Sequence, residues 1–199
     1  MKDWTGNSKS IYFPLGSSNH SDKDRGNLDF YATNPKSIDG LLKIMEEANF
    51  KLSKNIWENA CGNGHLSIKL KQLGYNVYST DIIKRDFECN EVDFLKYDGV
   101  FEGDIVTNPP YKYVEDFVRK SIEVVKEGNF VCMFLKITFL EGQKRRKLFN
   151  LYPPKIVAVY SKRIRVAKNG ENFDEPSAAC YAWFIWEKGF TGSPIITWI

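Results

Sequence analysis

The chain has 199 residues, of which 43% are hydrophobic and 15% aromatic, enough to fill the core of one α/β domain. It contains no apolar run of membrane-spanning length and opens on the polar stretch MKDWTGNSKS, which argues against a transmembrane helix and a secretory leader and for a cytoplasmic protein. The net charge of +3 conceals an asymmetry: residues 141–170 hold nine Lys or Arg against one acid, a net of +8, while the remainder carries 19 basic and 24 acidic residues, a net of −5. A basic segment on a mildly acidic body is the electrostatic footprint expected for a polyanion partner, although a solvated helix face and a charged loop produce the same count.

Residues 1–28 are rich in Ser, Asn, Gly and charge, and read as an arm without regular structure. Regular order is expected from "DFYATNPKSIDGLLKIMEEANF", where Ser37 is placed to cap a helix whose apolar positions are Ile38, Leu41, Leu42, Met45 and Ala48. "NIWENA" reads as a short strand. "CGNGHLSIKLKQLGY" reads as a tight glycine turn opening a helix with Leu66, Leu70 and Leu73 on one face. "NVYSTDII" is a strand ending in Asp81, and "GDIVTN" is another. "YVEDFVRKSIEVVKEG" follows the helical rule through Val114, Phe117, Val118, Ser121, Ile122 and Val125, and Gly128 closes it. "NFVCMFLKI" is a continuous apolar strand of the kind found inside a parallel sheet. "KIVAVYS" and "AACYAWFIWE" have no long helical pattern between them, so they are expected to pair antiparallel around a charged loop. Strands alternating with helices predict a doubly wound, mostly parallel α/β sheet with a terminal antiparallel pair, an arrangement that resembles the Rossmann-like class I methyltransferase fold. Residues 29–199 are expected to form one catalytic domain with no separate target-recognition domain.

The four cysteines, Cys61, Cys89, Cys132 and Cys180, are scattered without a CxxC pair, and the histidines are His20 and His65 alone. This predicts neither a metal site nor a disulfide framework, but buried free thiols.

Two stretches carry chemistry. In "IWENACGNGHLS", Gly62 and Gly64 let the backbone turn tightly, and the following helix N-terminus offers free N–H groups. Ser67 stands where a third glycine of the GxGxxG pattern would fall, so an ordinary strand-to-helix turn is the competing reading. Asp81, 19 residues after Gly62 at the end of the next strand, is placed to accept the ribose hydroxyls of an adenosine. Glu58 just before the glycines is otherwise an odd charge beside a buried strand.

In "DIVTNPPY", Asn108, Pro109, Pro110 and Tyr111 end an apparent buried strand. A turn explains Asn and Pro there. Amine methylation explains all four. The lone pair of an exocyclic amine must be drawn out of its ring by acceptors for both amino hydrogens, which Asn108 supplies through its side-chain carbonyl and Pro109 through its backbone carbonyl. Pro-Pro fixes those acceptors, and Tyr111 offers a flat face for a planar substrate.

These motifs resemble those of S-adenosylmethionine-dependent N6-adenine DNA methyltransferases of the small kind found in bacteriophages and prophages. "ENACGNG" is similar to the family's first motif, Asp/Glu-Pro-x-Cys-Gly-x-Gly, with Asn59 where Pro is usual. "VDFLKYDGVFEGDIVTNPPY" resembles its third and fourth motifs, and "DFYATNP" its N-terminal motif. The resemblance spans roughly residues 10–199 and implies S-adenosyl-L-methionine as cofactor. It implies Tyr31, Thr33, Glu58, Ala60, Cys61, Gly62, Gly64, Asp81, Ile82, Asp93, Phe94 and Asn108 as cofactor-binding residues. Thr33 and nearby backbone would meet the methionine carboxylate, Asp93 the amino group of the cofactor's adenine, and Phe94 the face of that ring. The implied setting is a bacterial host or phage-infected cell.

The partner implied is double-stranded DNA with the target adenine flipped out, at a cost of a few kcal/mol. Stacking on Tyr111 would return roughly 1–3 kcal/mol. Lys144, Arg145, Arg146, Lys147, Lys162, Arg163, Arg165 and Lys168 are the candidates for phosphate contacts. Sequence choice would rest on the loop 161–177, the arm or a partner, which predicts a very short recognition site; methylation-sensitive sequencing that finds a long, strict site would contradict this. Three readings stay open: adenine in DNA, an RNA base or protein glutamine methylated by the same tetrapeptide chemistry, and a catalytically silent nucleic-acid-binding module on this fold. Target sequence and oligomeric state are not written in the chain.

Overall fold

The computed structural model describes residues 31–164, 166–168, 173 and 179–199. The arm 1–28, Arg165 and the side chains of Tyr31 and Lys168 lie outside the described residues. The strands are β1 (Tyr31–Thr33), β2 (Asn55–Glu58), β3 (Asn76–Asp81), β4 (Asn90–Glu91), β5 (Asp104–Thr107), β6 (Phe130–Lys136), β7 (Ile156–Val159), β8 (Val166–Lys168), β9 (Tyr181–Glu187) and β10 (Ile195–Trp198). The helices are α1 (Ser37–Glu47), α2 (His65–Gln72), α3 (Val114–Val124) and α4 (Gln143–Leu151).

Eight strands form one sheet in the order β10-β7-β9-β6-β5-β2-β3-β4. From β4 through β6 every neighbour is parallel. β9 lies antiparallel between β6 and β7, which gives the pairing expected of "KIVAVYS" with "AACYAWFIWE". β10 then extends the edge parallel to β7. Within the charged loop the backbone makes a short strand, β8, which pairs antiparallel with β1 in a separate ribbon. Three-residue strands carry no periodic signal, so neither is legible in the sequence.

Alternation along the strands divides the core into two layers. Trp57, Ile105, Val131 and Met133 face α3 and α4, meeting Val114, Phe117, Val118, Ile122 and Leu148. Ile56, Val106, Cys132 and Phe134 face the other way, meeting Ile38, Leu41, Ile44 and Met45 of α1 and Leu66 and Leu70 of α2. Each such side chain contributes about 1.5–3 kcal/mol by leaving water. Among the described residues no helix is long and apolar enough to cross a membrane.

Three local expectations are corrected. Ser37 does not cap α1: it is the first helical residue and its hydroxyl has no partner. Its carbonyl instead accepts from Trp183 Nε1 at 2.9 Å and Tyr160 OH at 2.8 Å, so large side chains of the sheet hold the helix start. Leu73 is 44% exposed, because α2 ends at Gln72 and the chain turns before that position can face the core. Of the four cysteines only Cys61 and Cys132 are buried; Cys89 is half-buried and Cys180 exposed.

Candidate active site

β2 lies between β3 and β5. The chain leaves β2 outward through β3 and β4, then returns to build β5 and β6 on the other side. Such a reversal opens a crevice at the carboxyl ends of the central strands. A cavity of about 590 Å³ occupies it, within the roughly 300–1,000 Å³ usual for small-molecule sites.

The glycine turn forms one wall. Gly62 and Gly64 have φ of 54° and 75°, the left-handed region that side chains resist. A Cβ on Gly64 would also lie 2.4 Å from the Phe87 ring. Both glycines build the turn from behind and do not themselves line the cavity. Cys61 N–H donates to the Thr80 carbonyl at 3.0 Å, tying the turn to β3. Gly62 N–H donates to Asp81 Oδ2 at 2.8 Å, and Ile83 N–H donates to Oδ1 at 3.1 Å. The Asp81 carboxylate is thus aimed by two loops before any ligand arrives, and each oxygen keeps a lone pair.

Behind this wall Glu58 is 2% exposed. Ser67 Oγ donates to its Oε2, and Ser67 and Ser79 share a hydrogen bond of 2.6 Å. Burial pushes the Glu58 carboxyl up to about 8, so it carries its proton at neutral pH. Burial likewise raises the Cys61 thiol, aided by Glu58 and Cys89, and lowers the His65 imidazole. Asn59 is also 2% exposed and lines the cavity, and neither its nitrogen nor its oxygen has a hydrogen-bond partner.

The tetrapeptide forms the opposite wall. Asn108 Nδ2 donates to Thr33 Oγ1 at 2.8 Å, which turns the amide so that its carbonyl faces away from Thr33. Thr33 is 4% exposed, and the contact ties β1 to the end of β5. Pro109 is buried and Pro110 exposed; the Pro110 carbonyl accepts from Tyr113 N–H at 2.9 Å and starts a single turn over Tyr111–Tyr113. Tyr111 is half-buried and packs against both core layers. Lys136, at the end of β6, sets its ammonium 5.0 Å from the Tyr111 ring centroid.

The far end of the cavity is apolar. Ile82 and Ile83 are 59% and 42% exposed at its rim. Phe94, 2% exposed, stands edge-on to Trp57 at 5.1 Å and beside Phe117 at 5.2 Å. Asp93 holds Lys96 at 2.9 Å.

The cavity therefore gathers Thr33, Glu58, Ala60, Cys61, Asp81, Ile82, Asp93, Phe94, Asn108, Pro109, Pro110 and Tyr111. None of the described basic candidates lines it. Lys144, Arg146, Lys147, Lys162 and Arg163 are exposed. Arg145 is engaged within the chain: it donates to the carbonyls of Thr138 and Glu141 at 2.9 Å, lies 3.6 Å from Glu115 Oε1 and stacks on Phe139 at 5.0 Å. The sequence marks Asn59 only as a departure from the motif and gives no role to His65, Ile83, Arg85, Tyr113 or Lys136. For His65, directly after the glycine turn, adjacency is the one available signal. Phe173, in the charged loop, meets His65 edge-on at 5.4 Å and brings that loop beside the cavity.

No family model matches the chain, and no curated protein matches it in sequence. Solved structures do match in shape. A candidate class I S-adenosylmethionine-dependent methyltransferase from Listeria monocytogenes superposes with a TM-score of 0.56 at 14% identity, over 96% of this chain and 71% of that one. A candidate RNA methyltransferase from Pyrococcus horikoshii gives 0.58 at 14% identity, over 92% and 99%. The fold is that of the class I methyltransferases. The modification subunit of a candidate type I restriction enzyme from Vibrio vulnificus also gives 0.58, at 11% identity, over 88% of this chain and 48% of that one.

Proposed function

We propose that the protein transfers a methyl group from S-adenosylmethionine to the exocyclic amine of adenine in DNA, residues 29–199 acting as one catalytic domain. The observation that carries this reading is the Asn108 amide, held by Thr33 at the carboxyl end of β5 and facing the cavity wall that holds Asp81. A fixed carbonyl beside a nucleoside-sized cavity is what activation of an amine requires.

The donor set suits the cofactor. Asp81, already aimed by Gly62 and Ile83, accepts ribose hydroxyls. Ile82, Ile83 and Phe94 give an apolar slot for a purine, with Asp93 at its edge. The buried polar end, with Glu58 and the unpartnered Asn59, suits a charged amino-acid group. S-adenosylmethionine supplies a methyl group on a sulfonium, so no strong base is needed to activate the acceptor. Asn108 and the Pro109 carbonyl accept the two amino hydrogens, holding the nitrogen's lone pair toward the donor. Tyr111 stacks the flipped base, displacing Lys136 from the ring face. A positive charge there would oppose the cationic amine that forms, so its departure favours transfer.

DNA is favoured over protein by the basic residues at the carboxyl edge of the sheet. α4 runs back from β6, so its N-terminal Lys144 lies on the same edge as Lys162 and Arg163, which follow β7. An RNA base is the second reading, because the same edge suits any polyanion. The test is transfer of tritiated methyl, in parallel, to unmethylated DNA, to RNA and to a release factor, the protein whose glutamine is the rival acceptor. DNA should take the label; label confined to RNA or protein would move the substrate and leave the chemistry standing.

A further inference from the structure

Asn59 occupies the place where the resembling motif usually has proline, and it sits at the polar end of the cavity directly after β2. Its carboxamide is 2% exposed with both polar atoms unpartnered. A buried amide without partners costs the folded chain stability, and a hydrophobic side chain would cost less. Such a residue is retained where something else completes its hydrogen bonds. The two orphaned atoms are one donor and one acceptor on a single rigid plane. The complementary ligand offers one acceptor and one donor close together.

We infer that Asn59 reads the amino-acid end of the cofactor, its Nδ2 donating to the α-carboxylate and its Oδ1 accepting from the α-ammonium. Four observations choose this end over the nucleoside. The purine slot, walled by Ile82, Ile83 and Phe94, offers Asn59 no place among its residues. The ribose has Asp81, aimed from β3. Asn59 also follows Glu58 directly, so two buried polar side chains line this end of the cavity. Register points the same way: β2 pairs with β5 at Trp57 and Ile105, and continuing that parallel register sets Asn59 beside Thr107, next to Asn108. Asn59 therefore lies between the glycine turn and the tetrapeptide, where the amino-acid end must pass if the methyl group is to face Asn108.

The inference rests on the cofactor reading and not on the identity of the polymer. It is tested by calorimetric titration of the wild type, Asn59→Leu and Asn59→Ala with two ligands. S-adenosylhomocysteine carries the amino-acid end; methylthioadenosine has the same adenosine and thioether and lacks it. Both variants should bind S-adenosylhomocysteine about tenfold more weakly or worse, about 1.4 kcal/mol, while methylthioadenosine affinity stays within about twofold. The ligand-free Asn59→Leu protein should melt at or above the wild-type temperature, since a group of similar volume replaces an unpartnered amide. Equal weakening of both ligands would assign Asn59 to holding the turn and overturn the proposal. So would unchanged S-adenosylhomocysteine affinity, or a fall in the ligand-free melting temperature of about 4 °C or more. A wild type that binds neither ligand at millimolar concentration would remove the cofactor reading and this inference together.

Discussion

The glycine turn and the basic segment 141–170 were both candidates for function, and they are built by opposite rules. In the turn, backbone geometry assigns each residue its place. Gly62 and Gly64 need positive φ, Asp81 is held by two N–H groups, and Phe87 leaves no room for a Cβ at Gly64. In the basic segment, charge is spread over exposed side chains that could exchange places. Only the structure sorts them: Arg145 is committed to carbonyls at the start of α4, and Lys155 to Glu187 and the Phe50 ring, while Lys144, Arg146, Lys147, Lys162 and Arg163 stay exposed. A buried motif therefore fails sharply when one residue changes, whereas a charged surface fails by degrees.

The largest expected effect lies at the buried edge. Asn108→Ala should lower methyl transfer by at least about 10²–10³-fold, the usual loss for one fixed transition-state partner. S-adenosylhomocysteine affinity should stay within a few-fold by calorimetry; its collapse would make Asn108 a cofactor residue and blur the two walls of the cavity. Next, Asp81→Ala should weaken the cofactor by about tenfold or more, since two ribose bonds and the aim of Gly62 N–H are lost together. If turnover drops instead with cofactor affinity intact, Asp81 is not the ribose acceptor.

Glu58 sharpens the comparison through pH. Its carboxyl is raised by burial to about 8 in the folded chain, against 4.5 in an exposed one. Between those values the unfolded chain has released the proton and the folded chain keeps it. Ligand-free stability should therefore fall as pH rises from 5 to 8, on the order of 4 kcal/mol if the whole shift is expressed. Glu58→Gln should flatten that slope in urea melts taken at each pH; an unchanged slope would place the titrating group elsewhere.

The basic surface should give the smallest single effects. Lys162→Gln should reduce the magnitude of the DNA-binding salt slope by about 0.9, one phosphate's worth, without changing cofactor affinity. Arg145→Ala should cost about 1 kcal/mol of stability and leave the slope nearly unchanged. If Arg145→Ala lowers the slope as much as Lys162→Gln, its carbonyl contacts give way to phosphate on binding.

Legibility in the sequence followed the same divide. α3 is readable because Val114, Phe117, Val118 and Ile122 repeat at helical spacing and bury against one layer. β6 is readable because both its faces are covered. The site is readable where rare residue types are forced, at Gly62, Gly64 and Asn108-Pro-Pro. It is unreadable where a tertiary partner decides. Ser37 carries a capping side chain, yet Trp183 and Tyr160 hold the helix through its carbonyl. The β1–β8 ribbon is too short for periodicity, and Lys136 meets Tyr111 only because β5 and β6 end side by side.

The central claim is methyl transfer to the exocyclic amine of adenine in DNA. Unmethylated duplex DNA should be incubated with the protein and tritiated S-adenosylmethionine, then digested and its nucleosides separated. Label should appear in N6-methyladenosine's deoxy form, and Asn108→Ala should abolish it. Label on cytosine, or on RNA or release factor with DNA left blank, would contradict the account.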